Sequence, residues 1–66
     1  MKKLKEWNTE INRDWIVGYS RIQDGELRIY NDSHEIVLTV DEAFNIEVHS
    51  EDYKDYIDQI TYMITR

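Results

Sequence analysis

The chain of 66 residues has no cysteine, no proline, two glycines and a single alanine. Without cysteine there are no disulfides and no cysteine-ligated zinc or iron–sulfur centres. No stretch approaches the ~18 consecutive apolar residues of a membrane span. The basic start, Met1-Lys2-Lys3-Leu4-Lys5-Glu6, is not followed by the apolar run of a secretory signal. The expected location is therefore the cytoplasm, with no membrane partner. Nine Ile and five Tyr against so little Ala, Gly and Pro point to AT-rich coding sequence, as in low-GC bacteria and their phages.

The scarcity of bases in the second half is the most informative shortage. Residues 1–28 carry six Lys/Arg and five Asp/Glu, a balance of +1, whereas residues 29–66 carry two bases (Lys54 and Arg66) and nine acids, a balance of −7. The two sum to the −6 of the whole chain. Such a surface repels polyanions and favours basic partners. With 41% apolar and 12% aromatic residues, the chain is too hydrophobic for a disordered acidic tail.

The length suits one small domain over residues 1–66, near the lower limit for a chain that folds alone. The pattern predicts an α+β fold: a four-stranded antiparallel meander over 14–49, a C-terminal helix over 51–66 and an N-terminal helix or arm over 1–12. Asp24-Gly25 reads as a type I′ turn, pairing Ile22 with Leu27 and Ser20 with Ile29. A loop at Asn31-Asp32-Ser33-His34 pairs Ile29 with Ile36 and Leu27 with Leu38. A turn at Asp41-Glu42-Ala43 pairs Val40 with Phe44, Leu38 with Ile46 and Ile36 with Val48. All three registers place Ile16, Gly18, Ser20, Ile22, Leu27, Ile29, Ile36, Leu38, Val40, Phe44, Ile46 and Val48 on one face. Gly18 and Ser20 are small and leave room for close packing above the first strand. Ser50 is the expected cap of the last helix, whose stripe of Tyr53, Ile57, Ile60 and Ile64 covers that face. Leu4, Trp7 and Ile11 mark a short amphipathic helix, which Asn8-Thr9-Glu10 and Asn12 support poorly. It is expected to fold over the second sheet face, completing a three-layer sandwich.

Two surfaces are candidates for function. On the outer face of the last helix, Glu51, Asp55 and Asp58 form a row rising ~4.5–6 Å per step, with Asp52 beside them and Tyr62 among them. Such a row is most often an ordinary solvated face; as a binding site it suits a basic groove on another protein, with Tyr62 as aromatic anchor. Glu35, Asp41, Glu42 and Glu47 form a secondary acidic surface. A groove that takes regularly spaced carboxylates is often one that takes phosphates, so the partner expected is a nucleic-acid-handling protein bound by charge mimicry. Small acidic phage inhibitors, anti-restriction and anti-CRISPR proteins among them, share this general character, but no motif ties the chain to one family. The second surface is the far sheet face, where Trp15, Tyr19 and Tyr30, with Val17 and Val37, form an aromatic patch suited to a homodimer. Bases could stack there beside Arg21 and Arg28, but the acidity of the chain opposes direct nucleic-acid binding. An enzyme is not expected, since no nucleophile–base signature occurs and His34, Glu47 and His49 match no metal-ligand spacing. No cofactor or metal is implied.

Overall fold

The computed structural model describes residues 3–14 and 18–65. Trp15, Ile16 and Val17, to which the sequence reading assigned sheet positions, lie outside the described residues. The element order is α1 (Leu4–Asp14), β1 (Gly18–Gln23), β2 (Glu26–Asn31), β3 (Ile36–Asp41), β4 (Ile46–Val48) and α2 (Lys54–Thr65). The strands form one antiparallel sheet in the order β1-β2-β3-β4. The fold is α+β, a meander with a helix at each end of the chain.

The first hairpin follows its turn chemistry. Asp24 (φ 55°) and Gly25 (φ 77°) both take the left-handed conformation of a type I′ turn, and Ile22 pairs with Leu27 and Ser20 with Ile29 as expected. The next two registers differ from the expected ones by two residues: Ile29 pairs with Leu38, Leu27 with Val40, Val40 with Ile46 and Leu38 with Val48.

The turns account for this, joined in the β2–β3 hairpin by a bulge, and they share one design ten residues apart. Asn31 Oδ1 accepts the N–H groups of Ser33 and Glu35, each at 2.9 Å. Asp41 Oδ1 accepts those of Ala43 and Asn45, also at 2.9 Å. The fourth residue, His34 (φ 64°) or Phe44 (φ 63°), is left-handed and donates its N–H back to the first residue's carbonyl. This is a type I turn followed by a left-handed residue. A left-handed non-glycine costs roughly 1–2 kcal/mol. Phe44 offsets that by packing against the core, and His34 by bonding Tyr19.

In the β2–β3 hairpin the loop pairs Tyr30 with Ile36, one residue away from the expected register. Alone, that slip would turn Leu38 and Val40 out to solvent. A bulge between the Tyr30–Ile36 and Ile29–Leu38 pairs absorbs Val37 and restores the alternation. Leu38 and Val40 are thus fully buried. Val37, expected on the far face, joins the core, while Ile36, expected in the core, stays half-buried opposite Tyr30.

Both helices pack on the same face. Leu4, Trp7 and Ile11 of α1 share one cluster with Leu27, Ile29, Leu38 and Val40 of the sheet and Ile57, Ile60 and Ile64 of α2. The expected sandwich is therefore replaced by two layers. The reason lies at Ser20, on the core face of β1. Its hydroxyl donates to Asn8 Oδ1 (2.8 Å), its N–H to Asn12 Oδ1 (2.7 Å), and its carbonyl accepts from Asn12 Nδ2 (3.0 Å). The asparagines that weaken α1 as an isolated helix are those that tie it down, so packing overrides propensity. The helix accordingly runs on to Asp14. At the other end α2 begins at Lys54 rather than at Glu51. The Glu51 carbonyl accepts the Lys54 N–H (3.2 Å), closing a turn before the first helical bond, Ile57 N–H to Tyr53 O (2.8 Å). Ile22 and Val48 lie on the expected face but at its rim, 42% and 54% exposed.

Candidate interaction surfaces

The acidic residues of the last helix fall into two groups. Asp55, Asp58 and Tyr62 project from α2 into solvent, Tyr62 at 68% exposure. Glu51 and Asp52 are also exposed but sit on the turn before the helix, so the predicted single row is broken at its start. That turn brings Glu51 over the end of β4. A hollow of about 390 Å³ opens between the strand and the helix, lined by Val48, Ser50, Glu51, Lys54, Ile57 and Asp58. Its carboxylates stand beside the apolar surfaces of Val48 and Ile57, with Lys54 as the base among the lining residues. Sequence periodicity brought Glu51 and Asp58 to one helix face; it carried no signal for Val48, which comes from another element.

The secondary acidic residues have different duties. Asp41 is occupied in the loop it organises, its second oxygen accepting from Asn45 Nδ2 (3.0 Å). The Asn45 backbone and side-chain hydrogen bonds, followed by that of Ala43, hold its carboxyl below the usual carboxylate range. Glu35 accepts from Asn31 Nδ2 at 3.3 Å across its own loop. Glu42 and Glu47 are exposed, with Glu47 3.8 Å from His49 Nε2.

The far sheet face carries neither helix. Tyr19 and Tyr30 stack across the β1–β2 pair with centroids 4.9 Å apart and planes within 11°. The Arg21 guanidinium lies over both rings, 5.5 and 5.8 Å from their centroids. The Tyr19 hydroxyl is bonded to His34 Nδ1 (2.9 Å), and Thr39 Oγ1 to His49 Nε2 (3.1 Å). Arg28 is engaged within the sheet, donating from Nε to Glu26 (2.6 Å) and reaching Asp24 at 3.4 Å. Glu26 holds its guanidinium charged above the usual range. Of the other expected members of the patch, Val37 lies in the core, and Trp15 and Val17 lie outside the described residues.

Both histidines bond to hydroxyls of their own face, and among the described residues no group of three or more His, Cys, Asp or Glu is arranged to hold a metal ion. No helix among them is long and apolar enough to cross a membrane. Compared with protein-family models, with curated proteins and with solved structures, the chain matches none.

Proposed function

We propose that the chain is a non-enzymatic protein-binding module whose acidic β4–α2 side occupies a basic site on another protein, in the manner of a phage inhibitor that mimics nucleic acid. One observation carries the reading: Glu51 and Asp58 line one hollow together with the apolar Val48 and Ile57. A lysine or arginine side chain has the matching character, an apolar stem and a cationic head. Asp55 and Tyr62 extend the exposed surface along α2.

The partner is to be sought by affinity capture from a low-GC bacterial lysate, washed with graded salt and with DNA as competitor. Binding is expected to fall steeply with salt and to yield to DNA. Asp55→Lys combined with Asp58→Lys should weaken it at least about tenfold, or ~1.4 kcal/mol. A complex indifferent to salt that tolerates both reversals would exclude the mechanism.

The stacked Tyr19–Tyr30 pair, on a face covered by neither helix, supports a second reading as a self-associating subunit. Sedimentation over a concentration series distinguishes it. A dimer abolished by Tyr19→Ala is the expected result under this reading, and a monomer at every concentration rejects it.

A further inference from the structure

The two edges of the sheet are finished in different ways. In an antiparallel ladder, alternate residues turn their N–H and C=O groups toward the neighbouring strand and away from it. On β1 the outward residue at mid-strand is Ser20, and Asn12 satisfies both of its backbone groups. Its carboxamide donates to the Ser20 carbonyl at 3.0 Å and accepts the Ser20 N–H at 2.7 Å. This amide occupies the position that the backbone of an added strand would take, so α1 blocks the edge at its centre.

On β4 the bonds Asp41 N–H to Asn45 O and His49 N–H to Val37 O show that odd-numbered residues face β3. Ile46 and Val48 therefore aim their N–H and C=O groups at the free edge, and among the described residues no hydrogen bond reaches them. The Val48 side chain is 54% exposed and forms a wall of the hollow that also holds Glu51 and Asp58. On the opposite sheet face, Glu47 is exposed between these two residues. Short length is one way of discouraging edge pairing, and β4 has three residues; lysine on the strand is another, and β4 has none.

From this we infer that the β4 edge accepts a basic, extended segment of the partner as an added strand. The inference rests on the acidic-surface reading and deepens it. Main-chain bonds to Ile46 and Val48 set the register, and alternate side chains of the segment fall toward the hollow and toward Glu47. Charge selects a Lys- or Arg-bearing segment, because Glu47, Glu51 and Asp58 flank the edge while Lys54 opposes them singly.

The test uses an end-blocked peptide, Lys-Thr-Lys-Val-Lys-Thr-Lys, and two twins carrying N-methyl groups on alternate amides in opposite phases. Methyl groups in one phase face β4 and block pairing, whereas in the other they face solvent. Titration followed by amide NMR should perturb Ile46 and Val48 and slow their hydrogen exchange, leaving Ser20 unchanged. One methylated twin should bind at least about tenfold more weakly than the other, the cost of losing main-chain bonds. If both twins bind as the parent does, with salt sensitivity, the acidic-surface reading stands and strand addition is overturned. If the parent peptide does not bind, strand addition is overturned, and the acidic-surface reading is decided by the capture experiment.

Discussion

Trp7→Ala is expected to leave most molecules unfolded at physiological temperature. Trp7 is 3% exposed and lies between Leu4 and Ile11 on the stripe that α1 contributes to the common cluster. Truncating a buried tryptophan costs about 3–5 kcal/mol, from lost transfer energy and the cavity left behind. A core of this size rarely leaves more than ~3–5 kcal/mol of net stability, so the loss is comparable with the whole. Trp7→Phe keeps a ring in the same space and should fold with a lowered midpoint. Urea and thermal melts followed by far-ultraviolet circular dichroism make the comparison. A Trp7→Ala protein with an unchanged midpoint would show that α1 is not part of the cooperative unit. Hydrogen exchange at Ser20 supplies an independent measure, because releasing α1 should also free the N–H that Asn12 holds.

Gly18→Ala is expected to be the most damaging single-methyl substitution, destabilising by about 3 kcal/mol, the upper end for overpacking. A Cβ on Gly18 would run into the carbonyl oxygen of Tyr30 and stand 2.7 Å from the carbonyl carbon and 2.9 Å from the Cα of Asn31. All three are backbone atoms of β2 that cannot swing aside as a side chain can. Asn31 is itself buried and anchors the following loop, so the clash propagates. Gly25→Ala is the matched control. No atom lies within 4 Å of its added methyl, and its φ of 77° carries only the left-handed penalty of roughly 1–2 kcal/mol. Urea denaturation of the two variants should rank them in that order. Equal losses would mean that β1 and β2 do not approach as closely at Gly18 as described.

Gly18 and Ser20 illustrate how far small residues can be read in a sequence. Their size signals a close approach, but the two approaches differ in kind. At Ser20 the neighbour is a helix bonded through Asn8 and Asn12, and at Gly18 it is the backbone of the adjacent strand. The turns show a similar limit. Asp24-Gly25 was legible because glycine advertises a left-handed residue. His34 and Phe44 take the same conformation without that advertisement, held by side-chain bonding or core packing that exists only after folding. Each turn consequently lies later than its residue types predict: at 41–45 the turn alone moves the pairing by two residues, and at 31–35 the turn moves it by one and the bulge at Val37 adds the second. An even displacement preserves the faces, so most of the expected core set survived, with Ile36 and Val37 exchanged at the bulge.

The acidic surface was legible in part for the same reason. Helical spacing identified Asp55, Asp58 and Tyr62, because position on an exposed helix face follows from sequence separation. It also extended the helix to Glu51, whose placement over Val48 depends on the turn at 51–54. Asp41 looked like one more surface acid, and its use as a loop anchor appears only when the N–H groups of Ala43 and Asn45 converge on it.

From the sequence alone follow the charge division, the α+β class, the strand count, the first hairpin and the apolar stripes of both helices. These rest on local chemistry and on periods of two and 3.6 residues. The tertiary structure alone decided that both helices share one face, that Asn12 blocks the β1 edge, and that the β4 edge opens beside Glu51 and Asp58. An amphipathic stripe requires that a helix be buried but is indifferent to which apolar surface buries it. That choice fell to directional hydrogen bonds at Ser20, between residues eight and twelve positions apart, which no local period encodes.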